Sequence, residues 1–301
     1  MNSPVNHLPD KMDFKALARA ISLVENEVGT YAELLKNLPP SDAKIIGITG
    51  APGAGKSSLT DALIGEMITD NKKVGILCID PSSPFNKGAL LGDRIRMSQW
   101  YNHPKVFIRS LASRGALGGL HPRIIEISDL MKAAAFDYVI IETVGVGQSE
   151  VDIAGLAEIT LVMLVPEGGD VIQTMKAGLM EVADIFVVNK FDRPGAAEFY
   201  NHLKKMVSPA FNNKTGGIPV YKTIASEGTG IKELYTGIKN GRFNPLPEKH
   251  VMLLAQRAWT LIARNKMKNI LREEMEKEIR ELISSGEFNL YRYIQKFVSE
   301  K

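Results

Sequence analysis

The sequence predicts an α/β fold, a doubly wound and mostly parallel sheet with helical extensions at its N- and C-terminal ends. Three observations predict it. Seven short apolar runs between residues 43 and 223 are β-branched and nearly continuous, as strands covered on both faces are. Helix-like stretches separate many of those runs, which gives a βαβ series. The ends of the chain switch to helical spacing and lack the strand pattern.

The elements follow in order. Phe14, Leu17, Ala18, Ile21 and Val24 recur at helical spacing, so 13–38 reads as a helical arm stopped by Gly29 and restarted at Thr30. Glu33 stands three residues after Thr30 and predicts a capping box. Leu38-Pro39-Pro40 ends the arm. The predicted strands are Ile45–Thr49, Val74–Ile79, Val106–Ile108, Tyr138–Glu142, Thr160–Val165, Ile185–Asn189 and Val220–Thr223. Beyond Pro245 and Pro247 the helical pattern returns, with Met267, Leu271, Met275 and Ile279 four apart. Phe288, Tyr291, Ile294 and Phe297 then form a short amphipathic tail after Gly286. The organisation is an N-terminal helical arm over 1–40, the α/β domain over 41–245 and a C-terminal helical arm over 246–301, expected to serve dimerisation.

Composition narrows the function classes. Of 301 residues, 45% are hydrophobic and 24% charged, as in a globular protein, so disorder and fibrous repeats are excluded as global descriptions. A net charge of +3 argues against a polyanion binder, and no nucleic-acid partner is expected. The single Cys78 cannot form an internal disulfide, which points to a reducing, cytoplasmic setting. No apolar run approaches the ~20 residues of a membrane span, and the first residues lack a signal-peptide pattern, so no membrane association is expected.

The chemistry begins at residues 50–57. Gly50, Ala51, Pro52, Gly53, Ala54, Gly55, Lys56 and Ser57 fit G-x-x-x-x-G-K-[ST] between a strand and a helix that continues through Ser58. Such a loop turns successive backbone N–H groups toward a phosphate, and the helix N-terminus adds its positive end. Lys56 is expected on the β- and γ-phosphates and Ser57 on Mg²⁺. Asn189, Lys190, Phe191 and Asp192 spell N-K-x-D at a strand end, the guanine-reading pattern. A carboxylate at Asp192 accepts from guanine N1–H and the 2-amino group, donors that adenine does not present in that arrangement. Ala225, in Ile224-Ala225-Ser226, offers an N–H for guanine O6, although Ile224 stands where a Ser is usual. Glu142-Thr143-Val144-Gly145 matches D-x-x-G with Glu for Asp. Asp80, Asp93 and Glu142 would suit a hard cation with oxygen ligands, and Asp80 and Glu142 are the candidates to position the attacking water. Arg94, Arg96, Arg109 and Arg114 lie in neighbouring loops, as transition-state charges or as ordinary surface residues.

The strings GAPGAGKSSL, ILCIDPSSPF, GALLGDRIRM, RSLASRGALGGL, IETVGVGQSE and NKFD together closely resemble the MeaB/ArgK-type GTPases, the chaperones associated with methylmalonyl-CoA mutase. The resemblance covers most of 13–285. It implies a Mg²⁺-dependent GTP hydrolase, slow alone, forming a homodimer through the C-terminal arm. It also implies binding in trans to an adenosylcobalamin-dependent mutase, gating of cofactor loading and protection of the mutase from inactivation; no cobalamin is expected on this chain itself. By motif position, Lys56, Asp80 and Glu142 would be catalytic, Ser57, Asp80, Asp93 and Glu142 would form the metal shell, and Gly145 would sense the γ-phosphate. The segment 168–176, with Asp170, Gln173 and Lys176, would be a mobile switch that answers the mutase.

Three other readings compete. An ATP-using kinase or transport-linked ATPase is disfavoured by Asn189–Asp192. A metallocentre-insertion GTPase is disfavoured because His7, His103, His121, His202 and His250 are scattered and there is one cysteine. A protein-targeting GTPase would want an RNA- or membrane-binding module, and none is evident.

Overall fold

The computed structural model describes residues 13–80, 97–114, 120–145, 149–166, 179–208, 217–241, 243, 248–267 and 269–298. The chain divides into two compact units, Met1–Val251 and Met252–Lys301.

In the first unit the described residues form one seven-stranded sheet: β1 (Lys44–Gly50), β2 (Val74–Asp80), β3 (Val106–Ala112), β4 (Tyr138–Glu142), β5 (Ile159–Leu164), β6 (Ile185–Val188) and β7 (Val220–Lys222). Their order is β3-β2-β4-β1-β5-β6-β7 and every pairing is parallel. All seven predicted runs become strands. The chain leaves β1 to build one half of the sheet and returns to its other side through β5. That reversal makes β1 the switch point, where open α/β sheets bind ligands beyond the carboxyl ends of their strands.

Both sheet faces are covered, which is why the strands read as continuous apolar runs. One face packs Leu59, Leu63, Ile64 and Met67 of α3 (Lys56–Thr69) and Leu234 and Ile238 of the helix Ile231–Asn240 against Ile76, Ile140 and Leu161. On the other, Val162, Phe186 and Val188 meet Leu179, Val182 and Leu203. Gly47 is required by packing: a Cβ there would lie 2.5 Å from Ile153 Cγ1.

The N-terminal arm lies in this same unit. α1 (Phe14–Asn26) is capped by Asp13, whose carboxylate accepts from the Ala16 N–H at 2.6 Å, and Leu17, Ala20, Ile21 and Val24 are buried. Phe14 packs on Phe107 and Phe136, with centroids 5.5 and 6.0 Å away. The helix stops at Glu27 (φ 56°), before Gly29. Backbone bonds close the helix there, from the Glu27 N–H to the Val24 carbonyl (3.3 Å) and from the Val28 N–H to the Leu23 carbonyl (3.1 Å), while the Glu27 side chain pairs with buried Arg123. The predicted capping box does not form at the start of α2 (Tyr31–Lys36). Thr30 has φ −91° and ψ 27°, outside the extended region a cap needs, and Glu33 pairs instead with Lys36 at 2.7 Å.

His121 is buried beside this arm, its Nδ1 accepting from the Arg123 N–H at 3.0 Å. Burial is the main cause that lowers its pKa from 6.5 to about 4, against the pull of Glu25. The unfolded chain therefore takes up a proton that the folded protein refuses. Stability is expected to be whole above pH 6.5 and to fall as pH drops toward 4, by roughly 3 kcal/mol. Urea titrations of wild type and His121→Gln across that window check it: the slope with pH should flatten in the variant.

The second unit is helical, continuing α9 (Glu248–Lys266) into α10 (Arg272–Ser284) and α11 (Leu290–Val298), counting helices Ile124–Ala133, Ser149–Leu156, Leu179–Val182, Ala196–Met206 and Ile231–Asn240 as α4 to α8. The i+4 apolar run does not make one helix. Met267 and Leu271 fall at a turn that includes Asn269, and both are exposed. Met252, Trp259, Ile262, Leu290 and Tyr291 are also exposed. Among the described residues no helix is long and apolar enough to cross a membrane.

Candidate functional site

The carboxyl ends of β1, β2 and β4 are Gly50, Asp80 and Glu142, set side by side by the parallel register (Ile48 and Cys78 both flank Glu142). Beyond them opens a cavity of about 480 Å³ lined by Lys56, Ser57, Asp80, Glu142, Thr143 and Lys190, together with Pro52, Gly53, Gly55, Ser58, Ile79 and Val144. The sequence brings phosphate loop, acidic strand ends and base-reading loop together here.

The loop between β1 and α3 turns through left-handed glycines, Gly53 (φ 75°) and Gly55 (φ 95°). Gly55 has a second reason to lack a side chain: a Cβ would sit 2.4 Å from Asn189 Nδ2. Lys56 opens α3 and is 7% exposed, so its ammonium needs acceptors. It donates to the carbonyls of Gly50 (3.0 Å) and Ala51 (3.2 Å), which holds it beneath the loop. Gly145 (φ 78°) approaches from β4; a Cβ there would lie 2.5 Å from Lys56 Nζ and 2.8 Å from the Gly50 carbonyl. Only glycine lets the two loops meet this closely.

Glu142 is buried. Ser57 Oγ donates to its Oε1 at 2.7 Å, and Thr60 Oγ1 lies 3.1 Å from its Oε2. Behind it Thr143 donates to Thr49 at 3.1 Å, a buried hydroxyl pair that fastens the end of β4 to β1. Asp80, 3% exposed, ends the neighbouring strand, and its carbonyl accepts from the Ser113 N–H at 2.9 Å. Ser57, Asp80 and Glu142 are all oxygen donors. That chemistry fits a small hard cation such as Mg²⁺, which takes one or two protein carboxylates and completes its shell with substrate phosphates and water. Among the described residues no three His, Cys, Asp or Glu side chains converge; Asp93, the third predicted acid, lies outside the described residues.

Asn189 ties the site together. Its Nδ2 donates to the Ala54 carbonyl (2.8 Å), while Oδ1 accepts from Thr223 Oγ1 and from the Ala225 N–H, both at 3.0 Å. The Ala225 N–H that the sequence directs at guanine is in the structure engaged by Asn189. Ile224, where a supporting Ser is usual, exchanges a backbone bridge with Thr229 instead, its N–H donating at 3.1 Å. Lys190 turns the chain with φ 55° and reaches the cavity wall. Asp192 stays half exposed, 3.8 Å from Arg193 Nε.

Arg109 and Arg114 are arm anchors: both pair with Glu25 of α1, at 2.9 and 3.1 Å. Arg94, Arg96, Asp170, Gln173 and Lys176 lie outside the described residues. Sequence reasoning missed Thr49, Thr60 and Thr223. Only Thr60 carried a signal, standing three residues after Ser57 on the same helical face.

A family model described as "Methylmalonyl Co-A mutase-associated GTPase MeaB" matches residues 17–280. A Pyrococcus abyssi protein named as a GTPase is 47% identical over 237 residues, 77% of this chain and 73% of its own length. A Pyrococcus horikoshii protein named likewise is 41% identical and covers 86% of each chain. A fused isobutyryl-CoA mutase of Cupriavidus metallidurans is 37% identical over 75% of this chain, which spans 22% of that protein. In fold, a crystal structure named as an LAO/AO transport system kinase superposes with a TM-score of 0.63 at 23% identity, covering 96% of this chain and 94% of its own. The hydrogenase maturation factor HypB of Archaeoglobus fulgidus does so at 0.52 and 22%, covering 74% and 98%.

Proposed function

The chain belongs to the MeaB family of methylmalonyl-CoA mutase-associated GTPases, and from that premise we propose that it is a Mg²⁺-dependent GTP hydrolase serving an adenosylcobalamin-dependent acyl-CoA mutase in trans. It gates cofactor loading on that mutase and protects it from inactivation. The observation that carries the partner assignment is the relative in which a segment like this chain is continuous with isobutyryl-CoA mutase.

In this reading the loop 50–55 cradles the phosphates with backbone N–H groups, and Lys56 exchanges its loop carbonyls for the β- and γ-oxygens. Ser57, Asp80 and Glu142, joined by Asp93, hold Mg²⁺, which when bound neutralises charge developing on the transferring phosphoryl. Asp80 and Glu142 orient the attacking water, the Gly145 N–H senses the γ-phosphate, and Asp192 reads the guanine edge while the Lys190 stem covers the base. Asp170, Gln173 and Lys176 carry the partner's signal to the phosphates. The exposed apolar side chains Trp259, Ile262 and Tyr291 support a homodimer built with the C-terminal arm. The single cysteine suits a reducing, cytoplasmic setting.

Mixing the protein with a purified adenosylcobalamin-dependent mutase and resolving the mixture by size exclusion with multi-angle scattering tests the partnership. A complex whose yield changes between GDP and a non-hydrolysable GTP analogue is expected. Independent elution in every nucleotide state contradicts it.

A further inference from the structure

We infer that Thr60 is a positioning residue for Glu142, a second clamp on the carboxylate that the Mg²⁺ site needs; the inference rests on the reading of this cavity as a Mg²⁺–GTP site. A threonine inside a helix ordinarily gives its hydroxyl proton to the carbonyl four residues back. Thr60 has that option, with the Lys56 carbonyl 3.0 Å away. It has a second acceptor as well, Glu142 Oε2 at 3.1 Å. One proton faces two acceptors, and the ionised carboxylate is the stronger. Thr60 is fully buried, so its hydroxyl has no water to prefer.

The pairing has a geometric logic. Ser57 and Thr60 stand three residues apart on one face of α3, so their hydroxyls meet the two oxygens of one carboxylate, Oε1 at 2.7 Å and Oε2 at 3.1 Å. An aspartate at the end of β4 would have two side-chain torsions. Glu142 has three, and the extra methylene gives it both longer reach and more rotamers to lose. Ser57 meets one oxygen and Thr60 the other, so the two hydroxyls together restrict rotation of the carboxylate before the metal arrives. The structure thus places on α3 the compensation for a longer acid on β4.

Thr60→Val keeps the shape and removes the hydroxyl; Thr60→Ser keeps the hydroxyl. The measurement is the dissociation constant of a fluorescent guanine nucleotide, in excess EDTA and across a Mg²⁺ titration. Thr60→Val should raise the half-saturating Mg²⁺ concentration roughly tenfold, the loss carried by one hydrogen bond to a charged group, and leave the metal-free affinity unchanged. Thr60→Ser should restore most of the wild-type Mg²⁺ response. A Thr60→Val titration that overlays wild type overturns the assignment. So does an equal loss with and without Mg²⁺, which would mark a packing defect of α3, and so does a serine variant as impaired as the valine. Wild-type binding that ignores Mg²⁺ altogether would instead overturn the metal site itself, and the clamp with it.

Discussion

Lys56→Ala is expected to reduce GTP turnover by at least roughly a thousandfold, about 4 kcal/mol of transition-state stabilisation. Charge grows on the equatorial oxygens of the transferring phosphoryl, and a cation fixed beforehand stabilises it without reorganising. Lys56 waits nearly buried beneath the loop on the Gly50 and Ala51 carbonyls, and its move onto the phosphate oxygens comes with nucleotide binding, before the chemical step. Its removal takes away the positive charge that the phosphates would pair with, so nucleotide affinity should fall together with turnover. Single-turnover phosphate release with saturating nucleotide separates the two effects. Retention of more than about a tenth of the wild-type rate would remove Lys56 from the reaction.

Asp192→Asn should change which base is held. The carboxylate accepts two hydrogen bonds from guanine in the proposed complex, and each lost charge-assisted bond should lower GTP affinity by roughly tenfold to a hundredfold. Xanthine carries an oxygen where guanine has its 2-amino group, so the amide donor of the variant should raise affinity for xanthosine triphosphate. The half-exposed setting of Asp192 makes the exchange feasible without disturbing the fold, in contrast to Asn189, which is buried and bonded to the phosphate loop at Ala54 and to the 223–225 segment. Competition titrations with GTP, ATP and xanthosine triphosphate read the outcome. An unchanged ranking in the variant would mean the base is read elsewhere.

The strands and the phosphate loop were legible because local chemistry dictates them. Val and Ile runs of strand length, and glycines between a strand and a helix that begins with Lys56, leave few alternatives. The acidic strand ends were legible for the same reason, since a parallel sheet lines up the carboxyl ends of Asp80 and Glu142 wherever its strands pair. Contacts between distant segments were not. The spacing of Thr60 puts it on the Ser57 face of its helix but does not reveal a carboxylate 82 positions away, and nothing around Ala225 shows that Asn189 takes its N–H. Arg109 and Arg114 read in sequence as transition-state charges or surface residues, because the pairing of both with Glu25 of α1 spans more than eighty positions. The capping box at Thr30 and the long apolar run through Met267 failed where local pattern met a competing demand, the pairing of Glu33 with Lys36 and a turn at Asn269.

A guanine-nucleotide hydrolase whose active site answers a cobalamin mutase should reveal itself in GTP turnover measured with and without a purified adenosylcobalamin-dependent acyl-CoA mutase. Contacts supplied only in the docked complex, worth about 2.7 kcal/mol in the transition state, would raise turnover about a hundredfold. On this reading hydrolysis by the protein alone is slow, adding the mutase stimulates it to that order, and ATP as substrate gives no stimulation. Turnover that is indifferent to the mutase, or equal with ATP and GTP, would contradict it.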